Sequence, residues 1–135
     1  MIDARTLALL LGLSRTPDQA AVDAVERAAL DARVPVSLAL AVCALESGLG
    51  TRGRILCGCY VRRADGAGVD TDVGAQARCV AGTLRVGLRS CGSWAASLRR
   101  YRYGLADHGC PLADPRAYVR RVGAYTRMMR RPLVL

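Results

Sequence analysis

The chain has 135 residues, enough for one domain with a modest single core. Hydrophobic residues make up 52% of it, which excludes a disordered tail, and the net charge of +9 favours polyanionic surroundings such as nucleic acid, anionic lipid head groups or an anionic cell wall. All 20 basic residues are Arg, while Lys, Asn and Phe are absent, a bias read here as codon composition and not as a binding code.

Residues 7–13 have the length of a signal-peptide core. Yet Asp3 precedes them, Arg5 alone supplies positive charge, and no clear small-x-small cleavage site follows. They are read as part of a first helix over residues 3–13. Thr16 as N-cap, Pro17 at the first helical position and Gln19 in a capping-box pattern open a second helix. Its Ala21, Val22, Val25, Ala28 and Ala29 keep helical spacing. A third helix starts at Pro35 and runs to about Ser47. It is apolar over nearly its whole length, so it is predicted to be the central helix of the core.

Residues 48–71 break the pattern with Gly48, Gly50, Gly53, Gly58, Gly66 and Gly68, together with Cys57 and Cys59. A loop that long in a small domain is more often functional than idle. Within it, residues 55–61 have the composition of a short β-hairpin arm. Asp72 or Thr71 then caps a helix to about Ser90, with Val73, Ala77, Val80, Leu84 and Leu88 on one face. Ser93 caps another over residues 94–103, closed by Gly104. Asp114-Pro115 opens the last helix, which runs to about Met129 with Ala117, Tyr118, Val122 and Tyr125 inward. The expectation is an all-α single domain over residues 1–135, without repeats, interdomain linkers or an apolar run long enough to span a membrane.

Glu46 ends the small and apolar run Leu38-Ala-Leu-Ala-Val-Cys-Ala-Leu-Glu46. A buried, unpaired carboxylate tends to stay protonated, because desolvation disfavours its charged form. A glutamic acid held neutral near pH 7 can serve as a general acid. The plainer alternative is a carboxylate at a helix end that points into water.

Three patches follow one another: Glu46-Ser47 at the end of the apolar helix, Ala95-Ala-Ser-Leu-Arg-Arg-Tyr-Arg-Tyr-Gly104, and Tyr118-Val-Arg-Arg-Val122. Their order resembles the SLT-type lytic transglycosylase domain of the lysozyme superfamily, related to goose-type lysozyme. That family has Glu-Ser at a core-helix end, then Ala-Leu-x-x-Tyr-Asn-x-Gly, then Tyr-Val-x-x-Val. The resemblance spans residues 34–129, and residues 1–33 supply N-terminal helices. It implies a lysozyme-like fold with a long cleft loop, and cleavage of the MurNAc–GlcNAc β-1,4 bond of peptidoglycan.

By that resemblance Glu46 matches the catalytic glutamate, and Ser47 the serine that helps hold the substrate or the acid. Tyr101 matches the tyrosine whose hydroxyl points at the glutamate. Gly104 matches the turn glycine, and Tyr118 the aromatic packed behind the site. Such enzymes are understood to work with one carboxylate: the substrate's N-acetyl group assists and its 6-hydroxyl attacks, leaving a 1,6-anhydromuramoyl end. No cofactor or metal is implied.

The sequence departs from the family at two places. Gly58-Cys-Tyr-Val-Arg-Arg63 stands where the family has Gly-Leu-Met-Gln, so Tyr60 either stacks on a sugar or fills the core. Arg102 replaces the family's Asn and either contacts muramic-acid carboxylates or is a solvated charge. Asp65, Asp70 and Asp72 lie where goose-type relatives place helper carboxylates. Asp65-Gly66 reads more simply as a turn and Asp72 as a helix cap. His108 reads as a surface residue.

The six cysteines fit disulfides in an oxidising compartment better than a metal site. Cys57 or Cys59 could tie the loop to Cys79, and Cys91 could join Cys110, while Cys43 serves equally as a small buried hydrophobe. The late Arg cluster suits anionic wall polymers, an assembly patch or plain solvation. No nucleic-acid motif accompanies it. The expected location is the bacterial cell envelope. Extracellular-looking cysteines without an ordinary signal peptide point to carriage on a phage virion or to a lysis or secretion route. Two rivals stand beside the transglycosylase: a hydrolytic muramidase, and an inactive wall-binding or structural module of a phage tail or secretion device.

Overall fold

The computed structural model describes residues 2–103, 109–110 and 116–130. Among them are six α-helices and no β-strand, so the domain is all-α as predicted: α1 (Ala4–Leu11), α2 (Gln19–Ala32), α3 (Val36–Ser47), α4 (Val73–Cys91), α5 (Trp94–Tyr103) and α6 (Arg116–Arg130).

Asp3 caps α1 by accepting the Thr6 N–H at 2.9 Å. The capping box predicted for α2 does not form. The helix begins at Gln19 behind Asp18, whose side chain makes no cap bond. Gln19 uses its amide elsewhere: it accepts from Ala4 N at 2.8 Å and donates to Ile2 O at 2.8 Å and to Asp23 Oδ1 at 2.9 Å. It therefore stitches the starts of α1 and α2 together, a tertiary use that outcompetes the local cap.

Helix α3 is the central helix. Every residue from Leu38 to Ala44 is buried, and α2, α4 and α6 all pack against it. A helix covered on all sides has no polar face to keep, which explains its apolar sequence. It ends where Gly48 (φ 60°) and Leu49 (φ 57°) turn left-handed. Gly48 N–H then reaches Ala44 O at 2.8 Å, and Leu49 N–H reaches Cys43 O at 3.1 Å, a Schellman ending. The Arg52 guanidinium adds a third bond, to Ala44 O at 3.0 Å. Glu46 is thus fixed in the last turn of a buried helix.

The loop after α3 departs from expectation. The arm predicted at residues 55–61 lies further on. A lone antiparallel bridge pairs Arg62 with Val69, flanked by Asp70 N–H to Val61 O at 2.7 Å and Arg63 N–H to Gly68 O at 2.9 Å. Residues 57 and 59 are instead pulled inward by disulfides. Cys57 joins Cys43 on α3, and Cys59 joins Cys79 on α4. Of the two partners considered for Cys79, Cys59 is the one used. Cys43 is not a free hydrophobe but one end of a bridge. The expected Cys91–Cys110 bridge forms and closes the segment that contains α5.

Asp72 caps α4, accepting Ala75 N–H at 2.9 Å, and the Ser93 hydroxyl caps α5 by accepting Ala96 N–H at 3.1 Å. Helices α4 and α5 touch closely at Gly87, where an added Cβ would lie 3.0 Å from the Ser97 backbone. Ser97 is itself buried and donates to Leu84 O at 2.7 Å. On α6, Tyr118 and Val122 face the core. The Gly104 turn, His108 and the Asp114-Pro115 helix start fall outside the described residues. No described helix is long and apolar enough to cross a membrane.

Candidate active site

Three helices meet at one pocket. Leu45 and Glu46 come from α3, Arg102 from α5, and Ala117, Tyr118 and Arg121 from α6. Glu46 is half-buried, not enclosed, so its carboxyl group forms part of the pocket wall and remains reachable from solvent. Among the described residues lining this pocket, it is the one carboxylate. Arg102 and Arg121 stand exposed beside it. The Arg102 guanidinium also lies 5.9 Å from the Tyr118 ring centroid, within cation–π range.

On its protein side the Glu46 carboxyl is backed by Gly58. A Cβ built at residue 58 would come 2.7 Å from Glu46 Oε2 and 3.0 Å from its Cδ, and Gly58 adopts φ 68°. Both the space and the conformation call for glycine. The flanking Cys57 and Cys59 anchor this residue to α3 and α4. The carboxyl group is therefore pressed by a backbone segment that two covalent links hold in place.

The two tyrosines divide their roles differently from the expectation. Tyr101 is buried, but its hydroxyl donates to the Cys57 carbonyl and not to Glu46. It supports the stapled loop from below. Tyr118 is only 7% exposed, and its hydroxyl has no hydrogen-bond partner among the described residues. A buried polar atom without a partner is costly and uncommon. Burial first, and the nearby Glu46 charge second, hold both phenols protonated well above their usual range.

Ser47 lies beneath the surface. Its hydroxyl donates to Leu56 O and accepts Gly50 N–H at 2.8 Å, so it holds the loop and does not line the pocket. Tyr60 is 75% exposed, so it does not fill the core, and it stands outside the pocket lining. Asp65 makes the expected turn, accepting Ala67 N–H at 2.9 Å and pairing with Arg63 at 2.7 Å. Asp70 accepts Asp72 N–H at 3.0 Å, and Asp72 is the cap of α4. None of the three lines the Glu46 pocket. No cluster of three potential metal-ligating residues occurs among the described residues.

Sequence reasoning missed Gln76. It is fully buried and holds the stapled loop. Its Oε1 accepts from Cys57 N at 3.3 Å and Cys59 N at 3.2 Å, while its Nε2 donates to Cys59 O at 2.6 Å and Asp70 O at 2.8 Å. The signal available was a polar side chain set among the apolar positions of α4, one residue before Ala77 and four before Val80.

A larger cavity, about 360 Å³, opens elsewhere between Arg15, Asp18, Leu49, Arg54 and Thr71. No buried polar atom is left unpartnered among its described residues, whereas the Glu46 pocket has the Tyr118 hydroxyl. The Glu46 pocket is therefore taken as the candidate site.

Fold and site together define an all-α, disulfide-stapled domain with a pocket built around one carboxylate. The chain matches no protein-family model, no curated protein sequence and no solved structure.

Proposed function

We propose that this protein cleaves the glycan strands of peptidoglycan as a lytic transglycosylase, with Glu46 as general acid and then base. The observation that carries the reading is the composition of the pocket: one carboxylate, a buried tyrosine hydroxyl with unused hydrogen-bonding capacity, and two arginines. Breaking a glycosidic bond requires a proton on the leaving oxygen, and a carboxylic acid supplies it. Covering a carboxyl group with substrate strips water from it and favours the neutral, donating form. Many glycosidases then use a second carboxylate as base or nucleophile. In the route proposed here the sugar's own 6-hydroxyl attacks. Glu46, now ionised, takes the proton of that hydroxyl, and the product ends in a 1,6-anhydro ring. Both reacting groups share one sugar, so the entropic cost of bringing them together is already met.

The remaining residues take supporting roles. Tyr118 forms part of the pocket wall beside Glu46, and its phenol neighbours the carboxyl group. Arg102 and Arg121 suit the lactyl or stem-peptide carboxylates of muramic acid, through charge-assisted hydrogen bonds. The net charge of +9 draws the protein toward anionic wall polymers. Three disulfides are compatible with work in the cell envelope, including delivery by a phage particle or a secretion device.

Mass spectrometry of purified peptidoglycan after digestion tests this. Anhydromuramoyl ends support a transglycosylase. Reducing muramic-acid ends would replace it with a muramidase. Glycan binding without any cleavage would leave a wall-binding module.

A further inference from the structure

We propose that Gln76 is the positioning residue of the Glu46 site, acting through the peptide groups of residues 57–59. The inference rests on the reading of Glu46 as the acid.

The two disulfides fix where the chain passes at residues 57 and 59, but a disulfide does not fix how the intervening peptide planes are rotated. Gln76 does. A primary amide has two acceptor sites on oxygen and two donors on nitrogen. In Gln76 all four are engaged: two N–H groups reach Oε1, and two carbonyls receive from Nε2. The pattern is directional. Reversing the amide would aim N–H at N–H and oxygen at carbonyl oxygen.

With the Cys57 and Cys59 N–H groups turned toward Gln76, the Cys57 carbonyl is left facing Tyr101, whose hydroxyl donates to it. The peptide planes on both sides of Gly58 are then set. Gly58 is held at φ 68°, where a Cβ would stand 2.7 Å from Glu46 Oε2. The chain of contacts is Gln76, peptides 57–59, Gly58, Glu46. Gln76 itself is buried and lies outside the pocket lining.

The test compares wild type, Glu46→Gln, Gln76→Met and Gln76→Glu, each verified by mass to keep its three disulfides. The Gly58 amide is followed by 1H–15N spectra across the carboxylate titration range, and peptidoglycan turnover is measured in parallel. In wild type the Gly58 signal is expected to move with pH, and Glu46→Gln should abolish that movement. Gln76→Met should remove most of the movement and lower kcat by about 10²-fold, the scale of a 1 Å misplacement, with KM little changed. A folded Gln76→Met protein that keeps both the Gly58 titration and wild-type kcat would overturn the proposal. Should Gln76→Met fail to fold, Gln76→Glu decides by turnover alone, because its own carboxyl group would move the Gly58 signal: it keeps the volume and the acceptor but loses both donors, so kcat is expected to fall, and a folded Gln76→Glu protein with wild-type kcat would overturn the proposal. If wild type proves inactive, the reading of Glu46 as an acid fails, while the Gly58 titration still decides the positioning role by itself.

Discussion

Gly58 lies directly against the carboxyl group of Glu46, so close that a Cβ at residue 58 would stand 2.7 Å from Oε2. The Gly58→Ala variant is therefore expected to push the carboxyl group out of place. It also forces a non-glycine residue to φ 68°, at a cost of about 1–3 kcal/mol. Denaturant titration should show that loss, and kcat should fall further than the stability change accounts for. Wild-type kcat in Gly58→Ala would refute the contact's importance.

Tyr101 and Tyr118 should respond oppositely to loss of their hydroxyls. Tyr101→Phe removes the donor to the Cys57 carbonyl and leaves that buried acceptor without it. A stability loss of about 1–3 kcal/mol is expected. Tyr118→Phe breaks no hydrogen bond among the described residues. Thermal melting should show that variant as stable as wild type or slightly more so, while turnover of peptidoglycan falls. Equal destabilisation of both variants would contradict the distinction.

The Cys43–Cys57 bridge closes a short loop, with a sequence separation of 14. The chain-entropy account gives such a loop about 3 kcal/mol. A double Cys43→Ala, Cys57→Ala variant should lose stability on that scale, read by urea unfolding. Its activity should fall as well, because one of the two anchors beside Gly58 is gone.

The buried phenols are expected to contribute to a loss of stability at alkaline pH. In the folded state both are held protonated above their ordinary value of 10.0, chiefly by burial and then by the Glu46 charge. A group whose folded value is raised contributes stability that is complete below its unfolded value and declines as pH rises past it. Unfolding free energy should therefore show no tyrosine-linked fall below about pH 10 and a decline above it. The Tyr118→Phe variant should flatten that decline. An alkaline profile identical in wild type and variant would remove Tyr118 from the explanation.

Much of the helical framework was legible because it depends on local pattern. The apolar length of α3, the Asp72 cap and the Ser93 cap each follow from short-range chemistry. Gln19 misled because its amide bonds across to α1, which no local rule anticipates. The same holds for the site. Glu46 stood out by sitting at the end of an apolar run. The tasks of Ser47 and Tyr101 did not, because both hydroxyls bond to carbonyls of a loop whose path is set by disulfides. With six cysteines allowing 15 pairings, that path could not be read from spacing. Gln76 was passed over for a related reason: its partners are backbone groups 6 to 19 residues away, which leave no mark on the sequence.

The most direct measurement is digestion of purified peptidoglycan by wild type and by Glu46→Gln, with products identified by mass spectrometry. Glutamine keeps the shape of the side chain but cannot donate the proton. The account expects anhydromuramoyl products from wild type and a loss of about 10²–10⁴-fold in their rate of formation with Glu46→Gln. The same products at the same rate from both proteins, or no cleavage by either, would contradict it.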